Sequence, residues 1–354
     1  MTTQTQEKTD IRKLLELSEE LKMDKHDHEY PASEFEFTDE ALLTVPDTAM
    51  GAVHPLDLTL HAWTQMCAKL GNTVNLNSLP VNYLMELDKE VTAGLMNMHL
   101  QGSDKTFKVR AYQNSGRAVL SDRYGDLLDN TELLQMLTDI DDNETNSGKM
   151  TRYCSLTPDD LNVRIVWKTV DAPNGGRDGG KKAPWGIGVG ISNNETGLRK
   201  LRVHPLIKRG SCDNSIMGNP DVNALAISHV GTRETTLAAK RVQIKSAIIN
   251  AIPSAMNLLS AMIEAEERDM PNISDVIYLL AKERGWDEKT KERVMIGTEG
   301  SHTHAGLVNG ITWAAHEVVD PTERYDMEVF GGAILLDDDS VFTRALANAE
   351  RIDR

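Results

Sequence analysis

Residues 161–268 constrain the fold of this 354-residue chain more than any other stretch, because strand-like runs there give way without a break to one long helical pattern. The runs are NVRIVWKTV (162–170), WGIGVGIS (185–192), LRKLRVHPLI (198–207) and VNALAISHV (222–230). They are rich in Val and Ile, several alternate apolar with polar residues, and each is bounded by Gly, Pro, Asn or Asp, the pattern of a half-buried strand. Connections this short join antiparallel neighbours, since a parallel crossover needs about a dozen residues or more. From Thr232 the period becomes helical and runs through Leu237, Val242, Ile244, Ile248 and Ile249 to Leu258, Leu259 and Ile263, with a kink expected at Pro253. The expected fold class is α+β: an antiparallel β-β-β-β sheet followed by a long covering helix, flanked by helical N- and C-terminal parts.

Charge marks the same region. The whole chain carries 38 Lys+Arg against 54 Asp+Glu, yet residues 151–250 carry 15 against 8. An acidic chain ordinarily argues against nucleic acid, but positive charge concentrated on one predicted sheet is an electrostatic footprint for it. A solvated sheet face is the plainer alternative. Cys67, Cys154 and Cys212 are odd in number and widely spaced, so neither a disulfide framework nor a zinc ribbon is suggested and a reducing cytoplasm fits. The polar start MTTQTQEKTD has no signal-peptide pattern, and the uncharged stretch Ser246–Ile263 holds Asn250, Pro253, Ser254, Asn257 and Ser260, which reads as a buried helix rather than a membrane span.

Along the chain, residues 1–45 read as an acidic N-terminal arm with a short amphipathic helix over 10–22 and a solvated His26/His28 pair. Residues 46–335 read as the main α+β domain. It comprises a helical and hairpin part (50–140), the sheet and long helix (151–268) and a helical part (272–335), and residues 336–354 form an acidic tail. Within the first part, LTLHAWTQMCAKLG predicts a helix ending at Gly71, a second helix spans 80–99, and KTFKVRAYQNSGRAVL predicts a hairpin. The acidic loop at 138–150 has Glu144 where an EF-hand needs Gly, which disfavours calcium.

The stretch RAVLSDRYGDLLDN (117–130), preceded by HAWTQMCAKLG and LPVNYL, resembles the signature of a phage- and plasmid-borne family classed as a domain of unknown function. A later segment of that family resembles SNNETG (192–197), Lys208-Arg209, CDNS (212–215) and SHVG (228–231), with Ser215 where the family has glycine. The family-motif positions are Arg117, Asp122, Arg123, Tyr124, Asp129, Asn130, Cys212, Asn214 and His229. The resemblance implies a mobile-element origin and no particular activity.

Two glycine-rich stretches fail as nucleotide sites. GGRDGGKK reaches Walker A spacing at Lys181, but Lys182 stands where Ser or Thr must ligate magnesium and a strand follows instead of a helix. GIGVG (186–190) lies inside a strand-like run and opens no helix. Asp122 and Arg123, with Arg110 and Arg117 nearby, suit either an anion clamp or a buried pair fixing strand to helix. Cys212 with His229 suits either a thiolate–imidazolium nucleophile or two packed side chains. His302, His304 and His316 read as structural histidines, and neither a metal nor an organic cofactor is expected.

The strand-strand-strand-helix order with basic residues on the sheet is similar to the core of single-strand annealing proteins, a fold-level analogy. It implies a single-strand DNA binding and annealing recombination protein that contacts nucleic acid through Arg177, Lys181, Lys182, Lys200, Arg202, Lys208 and Arg209. Trp167, Trp185 and Tyr153 are the candidate stacking platforms. A homo-oligomer in the host cytoplasm, away from membranes and without catalysis, is the matching expectation. The competing classes are a hydrolase or nuclease of the same element and a non-catalytic self-assembling protein.

Overall fold

The computed structural model describes residues 5–7, 11–46, 53–71, 78–122, 124, 129–143, 151–170, 177–178, 181–182, 184–209, 214–218, 225–227, 235–318, 320–337 and 339–352. It is a mixed α/β protein built on two sheets. The first half of the chain supplies β1 (Thr5–Glu7), α1 (Ile11–Met23), β2 (Lys25–Pro31), β3 (Glu36–Phe37), β4 (Leu43–Pro46), β5 (Val53–Leu58), α2 (Leu60–Gly71), α3 (Val81–Glu86), α4 (Lys89–Gln101), β6 (Thr106–Tyr112), β7 (Ser115–Ser121) and α5 (Asn130–Asn143). The second half supplies β8 (Thr151–Leu156), β9 (Asp160–Val170), β10 (Arg177–Asp178), β11 (Lys181–Lys182), β12 (Trp185–Asn194), β13 (Leu201–Arg209), β14 (Ser215–Met217) and β15 (Leu225–Ile227). Helices α6 (Thr235–Glu266), α7 (Ile273–Arg284), α8 (Glu288–Gly297), α9 (His304–His316), α10 (Pro321–Leu335) and α11 (Ser340–Ile352) complete it.

The smaller sheet has the order β2-β6-β7-β5-β4-β3, with β5 and β7 parallel and every other pair antiparallel. Helices α2, α3 and α4 bury its apolar face around Trp63, Met66, Leu70, Met96 and Phe107. The hairpin expected from KTFKVRAYQNSGRAVL is β6–β7 of this sheet, and α2, α3 and α4 of the helical part expected over 50–140 pack on it. The sheet also absorbs residues read as a solvated arm: KHDHEYP is an edge strand paired residue for residue with β6, from Lys25↔Tyr112 to Pro31↔Thr106. Its side chains are too polar to announce a strand, so the backbone ladder holds it. The helix expected over 80–99 is broken at Asp88, whose side chain accepts the Glu90 N–H at 3.0 Å and starts α4 anew.

The larger sheet is antiparallel throughout, in the order β1-β8-β9-β12-β13-β14, and β15 also pairs with β13. It is wider than the four strands read from the sequence. Ile187, Val189 and Ile191 on β12 face one core, which α1, α5 and α6 cover at one end and the C-terminal helices cover at the other. The alternate positions of the same strand are glycines because the opposite face has no room. A Cβ on Gly188 would lie 1.7 Å from the Ile165 carbonyl oxygen, and one on Gly190 would lie 2.4 Å from the Met217 sulfur. GIGVG is therefore a packing motif. Helix α10 closes that second face, with Tyr325 against Val166, Leu206 and Met217.

Helix α6 runs through Pro253 as one helical element. The acidic C-terminal tail is docked: Phe342, Ala345 and Ala349 of α11 lie in the main helical core. Trp167 and Trp185 are buried in the sheet cores, which removes both as open stacking platforms. The side chain of Tyr153 lies outside the described residues.

Candidate functional site

The two sheets meet at the end of β12, where Asn193, Asn194, Glu195 and Thr196 are all buried. Lys25 of β2 pairs with the Glu195 carboxylate, and the Asn130 N–H at the start of α5 donates to it at 2.5 Å. Arg110 of β6 forms a fork on Asp27, at 2.8 Å and 2.7 Å, and donates to the Glu195 carbonyl at 3.0 Å, with Asp129 3.5 Å away. Asn193 donates to the Asn130 side chain at 2.9 Å. Asn194 accepts from the N–H groups of Thr196 and Leu198, at 3.1 Å and 2.9 Å, which folds the turn back on itself. Gln65 and His61 of α2 then donate to the Thr196 carbonyl at 2.8 Å and 3.1 Å.

Electrostatics follow from this arrangement. Burial pushes the Asp27 carboxyl up, but the Arg110 hydrogen bond and charge, aided by Lys108 and Lys25, outweigh it and hold Asp27 below the usual carboxylate range. Glu195 goes the other way, raised by burial and by Asp129 against the pull of Lys25 and Arg110. Burial also raises the Tyr124 phenol, whose hydroxyl donates to the Asn194 carbonyl at 3.4 Å. Such a network fixes elements to one another. It joins Tyr124, Asp129 and Asn130 of the first motif to the SNNETG turn of the second, so these motif residues serve packing.

Other motif positions fall elsewhere. Arg117 pairs with Asp159. Asp122 is exposed, and the Asp–Arg fork at this junction is the partly buried Asp27–Arg110. Arg123, Cys212 and His229 lie outside the described residues. His304 is buried and stacks on Phe342 at 5.3 Å, His302 is exposed, and the His316 ring meets Arg324 at 3.1 Å. Among the described residues no three His, Cys, Asp or Glu side chains gather as a metal-binding group.

The seven basic residues divide by strand register. Trp185 stands opposite both Val170 and Arg209, and Gly186 stands opposite Lys208. The β10–β11 pair, which carries Arg177, Lys181 and Lys182, is inserted between Val170 and Trp185. Lys208 and Arg209 thus belong to one end of the larger sheet, and the separate β10–β11 pair is inserted in the chain at that end. Arg202, opposite Ser192, and Lys200 belong to the other end. The side chains of Arg177, Lys181 and Lys182 lie outside the described residues, Lys200 is exposed, Arg202 and Arg209 are half-buried, and Lys208 is buried. Among the described residues, Lys200, Arg202, Lys208 and Arg209 therefore do not form an open sheet face.

At the Arg209 end lies a polar cavity of about 600 Å³, bordered by Arg209, Asn214, Glu266, Ser301, Asn309 and Trp313 among others. Arg209 stands 6.0 Å from the Trp185 ring, and its buried Nε has no hydrogen-bond partner among the described residues. Burial raises the Glu266 carboxyl, and Arg209 opposes the rise. The wall between α8 and α9 turns tightly, with Glu299 at φ 53° and Gly300 at φ 73°. Thr303 caps α9 by accepting the Gly306 N–H at 3.1 Å. A guanidinium, a carboxyl, an amide and an indole around one cavity suit a flat polar ligand with an anionic group. Sequence reasoning missed Glu266, Ser301, Asn309 and Trp313; Ser301 lies in the TEGSHT turn between two helices, and the other three sit on helices with no local signal. No family model, curated protein or solved structure matches the chain.

Proposed function

We propose that the protein binds single-stranded nucleic acid at the Arg209 end of the larger sheet, in the cytoplasm of a host cell that carries the encoding phage or plasmid. The observation that carries this reading is the register that sets Lys208 and Arg209 at the sheet end where the β10–β11 pair, carrying Arg177, Lys181 and Lys182, is inserted in the chain, beside a polar cavity that includes Trp313. In a chain with a net charge of −16, that end is where a phosphate backbone finds compensating charge. The hairpin residues act on phosphates, and a base or a strand terminus enters the cavity beside Trp313, where stacking tolerates any base. The order β9, β12, β13 and then α6 supports an annealing role as a fold-level analogy.

Fluorescence anisotropy on a labelled oligonucleotide over a salt series tests the reading. Affinity falls with salt, and the Lys181→Glu/Lys182→Glu variant weakens binding and lowers the salt slope by about one unit per lost contact. Lys200→Glu, at the opposite end, leaves binding nearly unchanged. Absence of binding at low salt overturns the proposal, as does an equal loss from Lys200→Glu. A turnover of ester, amide or phosphodiester substrates that disappears in Cys212→Ser would establish the hydrolase class instead.

A further inference from the structure

Helix α6 covers the larger sheet with Ile244, Ile248, Ala251, Ala255, Leu258 and Met262, all buried. Its outer side carries a second apolar stripe. Val242, Ile249 and Met256 are 67%, 61% and 41% exposed. With Ser246, Pro253 and Ser260, and with Ile263 at the margin, half-buried against the helical core, they recur at alternating steps of four and three residues, the spacing of a helix-pairing seam. By length and composition this helix could also cross a membrane.

The stripe reads nearly the same from both ends. About Pro253, Ile249 mirrors Met256, Ser246 mirrors Ser260, and Val242 mirrors Ile263. Charge follows the same mirror, with Arg241 before Val242 and Glu264 after Ile263. A two-fold axis requires such a self-complementary patch. Antiparallel pairing sets Arg241 of one copy beside Glu264 of the other, whereas parallel pairing sets like charges together. A bilayer would have to bury the exposed Lys245, Asn257 and Glu264 together with Arg241, which lies 3.3 Å from Glu132 of its own chain, and Asn250.

We propose that the outer face of α6 is a homodimer interface, two copies packing antiparallel about Pro253. From Val242 to Ile263 the seam is about 32 Å long. Val242 also borders a groove of about 490 Å³ between α5 and α6, which accepts the Ile263 end of the second helix. One helix pair covers less than the roughly 800 Å² per partner of a standard stable interface, so the dimer is a weak, reversible one. This inference is independent of nucleic-acid binding.

Sedimentation equilibrium of the full chain over a micromolar concentration series tests it. The wild type passes from monomer to dimer, and Ile249→Glu or Met256→Glu weakens association at least tenfold with melting temperature kept, because both sites are exposed. Glu264→Arg also weakens the dimer, and Arg241→Glu/Glu264→Arg restores it. A wild type that stays monomeric throughout overturns the proposal, as does a dimer indifferent to both glutamate variants. Monomeric protein that floats with phosphatidylcholine vesicles, and loses flotation in Ile249→Glu, assigns the face to membranes and overturns it too.

Discussion

Arg164 of β9 and Glu328 of α10 are joined by a charge-assisted hydrogen bond of 2.6 Å, with the Glu328 side chain wholly buried and Arg164 only 6% exposed. Arg324 reaches the other carboxylate oxygen at 3.3 Å, and the Arg164 guanidinium lies 5.7 Å from the Tyr325 ring. The pair seats α10 on the sheet so closely that a Cβ on Gly332 would fall 1.8 Å from the Met217 carbonyl oxygen. A face that alternation alone leaves open to solvent is thereby closed.

Removing one member of this pair strands the other in the core. We expect Glu328→Ala to cost about 3–5 kcal/mol of unfolding free energy. The double variant Arg164→Met/Glu328→Leu should cost less than the single one, since neither charge then remains. Urea unfolding of both variants decides it, and a Glu328→Ala protein as stable as wild type would show that the pair does not hold α10.

At the junction of the two sheets, Arg110 is the cation shared by Asp27, Asp129 and Glu195. Arg110→Ala should destabilise by about 3–5 kcal/mol, because three acidic groups lose their common partner. Asp122→Asn, at an exposed position in the neighbouring motif, should stay within about 0.5 kcal/mol. Thermal melts of the two variants side by side separate a motif kept for packing from one kept for surface chemistry.

His204 is fully buried, with Nδ1 donating to the Gly218 carbonyl at 2.7 Å, and burial holds its imidazole down to about 4. The unfolded chain takes up that proton near pH 6.5. Between those values the unfolded state binds more protons, so stability falls as pH drops from 6.5 towards 4, by about 3 kcal/mol in full. His204→Asn keeps the donor to Gly218 without titrating. The difference between its pH–stability curve and that of wild type should show this slope, and parallel curves would refute it.

The sequence by itself determined the local elements that carry a period. Val163, Ile165 and Trp167 on β9, like Ile187, Val189 and Ile191 on β12, alternate because they line the same large apolar face of the sheet, and that pattern is readable without partners. Ile244, Ile248, Leu258 and Met262 mark α6 for the same reason, and the basic bias of 151–250 is a matter of counting. Tertiary structure alone decided what those elements touch. Lys25 meets Glu195 across 170 residues and Arg164 meets Glu328 across 164, contacts that no local spacing encodes. The strand KHDHEYP is specified by a backbone ladder to β6 and not by its side chains, so its composition reads as a solvated arm. Likewise Arg209 stands at the same sheet end as the β10–β11 pair only because antiparallel register sets Trp185 opposite both Val170 and Arg209. Periodicity reports which face of an element is buried; long-range pairing, which side chains cannot announce one strand at a time, chooses the neighbour that buries it.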